Sequence, residues 1–96
     1  AGGWRAERQA YVAGTAHPGW EPQADVAARF DAGVAAALAA AGSAGVVVAS
    51  HGMAITCWLV ARGLVAAPDA AEFWSTLRQP DLLAVDLDAG TWRREV

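Results

Sequence analysis

A layered α/β fold is predicted by three observations. An apolar, β-branched run, Val46-Val47-Val48, ends abruptly in Ser50-His51-Gly52. Helical spacing of apolar residues flanks it on both sides, over Gln23–Ala41 and Met53–Leu64. A short alternating segment, Leu82–Leu87, follows later and ends in a turn sequence. A strand that is apolar on both faces needs helices above and below it. The expected architecture is therefore α/β/α with a short, mostly parallel sheet, and Val46–Ser50 as its buried central strand.

Each element has its own local reason. Trp4–Ala13 reads as a short helix, with Trp4, Arg8 and Tyr11 at helical spacing and Gly14 as its stop. Thr15–Pro22 holds two prolines and a glycine and reads as a loop. Over Gln23–Ala41, the residues Val26, Phe30, Val34, Leu38 and Ala41 form one stripe, with Asp25, Arg29 and Asp31 off it. Gly42-Ser43-Ala44-Gly45 turns the chain into the valine run. Within Met53–Leu64, Ile55, Leu59 and Val60 are expected inward, and Gly63 marks the end. Pro68 suits the first turn of a further helix, Asp69–Leu77, and Pro80 stops it. Leu83, Val85 and Leu87 share one face of a strand, Asp86 and Asp88 the other. Asp88-Ala89-Gly90-Thr91 reads as a hairpin turn that returns Trp92–Val96 onto that strand.

Composition narrows the function classes. Ninety-six residues suit one small domain, and no repeat, linker or boundary divides it. The formal net charge is −3 and no basic run occurs, which argues against a nucleic-acid partner. All seven basic residues are arginine, a bias in keeping with a GC-rich genome rather than with function. No uninterrupted apolar stretch reaches the ~18 residues of a membrane span, and the start lacks a signal-peptide layout, so a cytoplasmic protein with no membrane partner is expected. Cys57 is the only cysteine, which excludes an internal disulfide; its apolar neighbours Trp58 and Leu59 mark it as a buried residue.

His51 is the candidate that position alone selects. It stands where an apolar run meets a helix start, and ligands of open α/β sheets bind at such junctions. The first amides of a helix have no internal acceptor and sit at the positive end of its dipole, which favours phosphate. Gly52 and Met53 would offer such amides, and Gly52 has no side chain to obstruct an approaching anion.

The segment Val-Val-Val-Ala-Ser-His-Gly-Met-Ala-Ile, residues 46–55, resembles the second-histidine segment of the histidine phosphatase (phosphoglycerate-mutase-like) superfamily. Pro18-Gly19-Trp20-Glu21-Pro22, followed by a helix carrying Arg29, resembles that family's Pro-Gly-Gly-Glu-Ser stretch, and the one-helix gap between the two segments also matches. The resemblance runs from about Trp20 onward. It implies that His51 is the second active-site histidine, contacting the transferred phosphoryl group, with Gly52 and Met53 binding phosphate and Ser50, Glu21 and Arg29 standing behind them. It implies a phosphohistidine mechanism on a phosphorylated small molecule, either phosphomonoester hydrolysis or phosphomutase chemistry, without a metal or other cofactor. The family's nucleophile lies in an Arg-His-Gly motif, and this chain has none. The sequence therefore reads as the C-terminal half of such a domain, an incomplete phosphoglycerate-mutase-like fold whose nucleophile comes from a missing N-terminal part. The alternative is a catalytically inactive fragment that binds phosphate or a protein. Met53 and Thr56 stand where the family usually shows a second glycine and often an arginine, so the substrate stays open.

The remaining candidates carry plainer expectations. Ser50-His51-Gly52 is half of a nucleophile elbow, but Val48 occupies the position that needs glycine, so Ser50 is expected to hydrogen-bond locally. Glu21 would cap the helix from Gln23 or reach the site. Arg29 lies four residues after Asp25 and would pair with it, or, by the resemblance, make a buried structural contact. His17 reads as an exposed loop residue, and Asp86 with Asp88 as a solvated strand face rather than a cation site. A half-domain with one flanking strand would leave a sheet edge open and self-associate through it.

Overall fold

The computed structural model describes residues 3–16, 18–42, 45–78 and 81–95. Four α-helices and one β-hairpin follow in order: α1 (Gly3–Val12), α2 (Gln23–Ala41), α3 (Gly52–Ala61), a 3₁₀ turn (Ala67–Asp69), α4 (Ala70–Thr76), β1 (Leu83–Asp86) and β2 (Thr91–Arg94). The expected helices are all present, and α2 has the predicted bounds. Pro68 lies in the 3₁₀ turn that leads into α4. The expectations for His17, Ser43, Ala44, Pro80 and Val96 fall outside the described residues.

Helix α3 is the centre of the body. Four consecutive residues, Thr56, Cys57, Trp58 and Leu59, are buried, which a helix achieves only when neighbours cover it on several sides. Helices α2, α4 and α1 supply that cover. One cluster joins Val34, Trp58, Leu59, Val65 and Phe73, with Phe30 and Leu38 packed against it. A second joins Tyr11, Val12, Ala27 and Cys57, with Met53, Trp20 and Trp74 at its margin. The predicted α2 stripe thus splits: Phe30, Val34 and Leu38 serve the first cluster and Val26 the second. Helix α3 stops at Gly63, whose φ of +73° suits glycine; the Leu64 amide then donates to the Leu59 carbonyl at 2.9 Å.

Side chains tie the helices where local capping fails. Neither α2 nor α3 has a side-chain N-cap bond. The Tyr11 hydroxyl instead donates to the Glu21 carbonyl, and the Gln23 side-chain amide donates to the Tyr11 carbonyl, so the end of α1 holds the start of α2. The indole of Trp58 donates to Asp31 at 2.9 Å and the Arg62 guanidinium donates to the same oxygen at 2.7 Å, joining α2 to the end of α3. Phe30 stacks on Trp58 with ring centres 5.1 Å apart.

The sheet corrects the expected architecture. Chain content is mixed α and β, as predicted, but among the described residues the sheet is one antiparallel pair, β1 with β2, in register Val85↔Trp92. It is not a parallel layer. Val46–Ser50 forms no ladder; Val47 is 91% exposed and Val48 46%. The physical reason is pairing. A two-faced apolar strand is stable only when its backbone groups find partners on both edges, and no described segment lies beside this one as a strand. Mixed composition folded the helices without the layer they would sandwich. The Cα radius of gyration, 13.7 Å, exceeds the about 12.5 Å of a compact domain of this length.

The hairpin docks on the end of α4 and the segment after α3. Trp92 packs edge-to-face on Phe73 with centres 5.0 Å apart, and its indole donates to the Leu64 carbonyl at 3.2 Å. Arg94 donates to Asp81 at 2.9 Å and to the Thr76 hydroxyl at 2.8 Å. Leu83, Val85 and Leu87 face the first cluster while Asp86 and Asp88 are exposed, as their alternation predicted. Gly90, with φ of +70°, closes the Leu87–Gly90 turn by donating to the Asp86 carbonyl at 2.8 Å.

Candidate functional site

His51 is the N-cap residue of α3, in extended conformation with φ −96° and ψ 150°. It is exposed, and neither it nor Ser50 makes a side-chain hydrogen bond among the described residues. The local bond expected for Ser50 is therefore not formed; Ser50 is exposed, in a stretch outside the helices and strands. The amides of Gly52, Met53 and Ala54 open the helix, where a backbone acceptor four residues back is missing by construction. No cap satisfies them among the described residues, so the start of α3 offers a cluster of free donors beside an imidazole.

Gly52 has a packing role that its sequence context did not reveal. A Cβ placed there would lie 3.2 Å from the Leu77 Cδ1 and 3.5 Å from the Trp74 indole. The α4 end thus closes down on the start of α3, and glycine permits it. Thr56, wholly buried, donates its hydroxyl to the Gly52 carbonyl at 2.7 Å, which satisfies that group inside the core. Met53 packs its side chain against the second cluster, so only its backbone amide is offered at the helix start.

Trp74 also brings a cation to this end of α3. The Arg5 guanidinium lies over the Trp74 ring, 5.0 Å from its centre. Arg5 and Gly52 therefore touch the same indole from α1 and α3. Sequence spacing held no sign of this, because α1 and α4 meet only through tertiary packing.

Glu21 and Arg29 form one unit, separate from His51. Arg29 donates both terminal nitrogens to the Glu21 carboxylate, at 2.6 and 2.8 Å. The Arg29 hydrogen bond holds the Glu21 carboxyl below its ordinary range, and the same bond raises Arg29. The expected Asp25 partner is corrected to Glu21: the loop through Pro22 lays the carboxylate across the first turns of α2, where a two-pronged geometry is available. The expectation of a buried Arg29 contact is corrected too, since its side chain is 69% exposed. Glu21 makes no N-cap bond to α2.

A groove of about 950 Å³ is lined by Val46, Val47 and Val48, by residues 81–88 and 91–93, and by Phe30, Val34 and Trp58 among others. His51 does not line it. Among the described residues no three histidine, cysteine or carboxylate side chains gather as a metal site, and no helix is long and apolar enough to cross a membrane. Cys57 is buried, as expected, and burial pushes its thiol up. No protein-family model, curated protein or solved structure matches the chain.

Proposed function

We infer that the chain supplies one wall of a phosphate site, of the histidine-phosphatase type, built from His51 and the opening amides of α3. The observation that carries this reading is an exposed imidazole at the N-cap of a ten-residue helix whose first donors are uncapped. Such donors stabilise a phosphoryl group by hydrogen bonds that cost no reorganisation, and a protonated imidazole adds charge where oxyanion character develops. Arg5, held over Trp74, lends a further positive charge to the same end of the molecule. In the family's chemistry the histidine of the Arg-His-Gly motif attacks phosphorus as the substrate's alcohol leaves, and water or an alcohol then takes the phosphoryl group from that histidine. The layered α/β/α fold belongs to this proposal, as the state reached when a complementary segment joins the sheet.

No Arg-His-Gly is available in the sequence to act as nucleophile. The chain alone is therefore expected to bind inorganic phosphate weakly and to show no turnover of an aryl phosphate. Titration with phosphate, followed by the backbone amide signals of Gly52–Ala54 and the His51 ring, tests the binding. Shifts confined to these groups and abolished in His51→Ala support the reading. Unmoved signals at millimolar phosphate reject it. Turnover above buffer that survives His51→Ala would reject the mechanism.

A further inference from the structure

We propose that Trp74 and Arg5 are further ligand-binding residues of the α3 phosphate site: the indole N–H donates to a phosphoryl oxygen, and the guanidinium over the ring selects a doubly charged phosphomonoester over a singly charged diester. This rests on the phosphate reading and adds to it two residues from outside α3.

The Trp74 N–H has no other acceptor. The Trp58 indole donates to Asp31 and the Trp92 indole to the Leu64 carbonyl. Trp74 makes no hydrogen bond among the described residues. No buried side-chain nitrogen or oxygen lacks a partner among them, so the unbonded Trp74 nitrogen is one that solvent reaches. The Cδ1–Nε1 bond is the part of the ring that meets α3, since both atoms lie 3.5 Å from the position a Gly52 Cβ would take. An accessible donor thus stands beside the helix start, where the amides of Gly52, Met53 and Ala54 are also uncapped. An indole N–H gains most when its acceptor is an anion.

Arg5 keeps its charge. Arg29, Arg62, Arg93 and Arg94 each bind a carboxylate. Arg5 binds none among the described residues and lies instead over the Trp74 ring, 5.0 Å from its centre. The negative face of the ring holds the guanidinium without neutralising it. Arg5 also sits in the first turn of α1, where the helix dipole disfavours a cation, so the stability of α1 does not account for it. The same indole touches both Arg5 and Gly52. A ligand on the α3 amides is therefore within one ring's reach of a permanent cation. That cation attracts a dianion about twice as strongly as a monoanion. The ligand class is accordingly a phosphomonoester dianion.

The test uses the full chain in low salt at about pH 8, where a monoester is doubly charged. Methyl phosphate and dimethyl phosphate are titrated in separately. The Trp74 indole N–H signal is followed together with the amide signals of Gly52–Ala54, and the amides of Thr56–Leu59 report folding. With the unaltered chain, the indole signal is expected to move with the same midpoint as the amides. Methyl phosphate is expected to bind about tenfold more tightly than dimethyl phosphate. Trp74→Phe, which retains an aromatic face for Arg5, is expected to weaken methyl phosphate about tenfold. Arg5→Gln is expected to bring the two ligands near equal affinity, and Arg5→Lys to restore most of the preference. An indole signal that stays still while the Gly52–Ala54 amides titrate would remove Trp74 from the site and leave the phosphate reading standing. An unchanged preference in folded Arg5→Gln would reduce Arg5 to a packing contact and overturn its role. If amides and indole both stay still, the phosphate reading falls and this proposal falls with it.

Discussion

The body around Leu59 and the face bounded by Val46–Val48 are made of the same kinds of residue, yet one is closed and the other open. Leu59 has no exposed surface, while Val47 keeps 91% of its own. The difference lies in where each element finds its backbone partners. Helix α3 satisfies its amides and carbonyls internally, so it needs only side-chain cover, and α2, α4 and α1 give it. An extended segment must find partners on another strand, and hydrophobicity alone does not supply them. A helix of this chain is thus self-sufficient where a strand is not. The hairpin sits between these extremes: β1 and β2 satisfy each other on one edge and leave the other free.

The sharpest way to break the comparison is at its closed end. Leu59→Ala removes a fully buried side chain from the first cluster and is expected to cost about 2–5 kcal/mol. A domain of this size holds only about 5–15 kcal/mol, so the loss should be plain in a urea titration followed by helical circular dichroism. A cost near zero would mean that the core is not organised around α3.

Acidification separates the two regions by their ion pairs. The Trp58 indole and the Arg62 guanidinium hold the Asp31 carboxyl low, the Arg29 hydrogen bond does so for Glu21, and the Arg78 and Leu82 amides do so for Asp81. A carboxyl that is more acidic folded than unfolded binds its proton more readily in the unfolded chain. Its contribution to stability is complete above the unfolded value, about 4, and is lost as pH falls through the folded value. The urea midpoint is therefore expected to hold between about pH 7 and 5 and to drop below about pH 4. Asp31→Asn should flatten part of that drop, because it removes the group that joins α2 to α3. A midpoint that rises on acidification would refute this assignment.

The smallest effect belongs to the open face. Val47→Asp is expected to change the stability of the isolated chain by less than about 0.5 kcal/mol, since no packing is lost. Light scattering should show less self-association at the same time. A loss as large as that of Leu59→Ala would show that Val47 is packed in solution, and the contrast between the two regions would collapse.

Helix positions were legible because their signals are local. The α2 stripe, Pro68 before α4 and the alternation of Leu83, Val85 and Leu87 each reflect a periodicity or a fixed φ within a few residues. Val46–Ser50 misled for the converse reason. Its β-branched composition signals suitability for a covered strand, while strand formation depends on neighbours that composition does not carry. At the candidate site, the sequence identified His51 and the helix start, but not why Gly52 is glycine. The approach of Trp74 and Leu77, and the arrival of Arg5 over the same ring, depend on how α4 and α1 pack.

The sequence by itself determined which segments are helical, where the hairpin turns, that Cys57 is buried and that a histidine stands at the head of α3. Only the tertiary structure decided that Arg29 binds Glu21 rather than Asp25, that Asp31 links Trp58 to Arg62, and that the valine run lies open along a groove. Periodicity and turn chemistry act over a few residues and can be read along the chain. Ion-pair choice and strand pairing depend on which groups meet across space, and a backbone edge stays open until something reaches it.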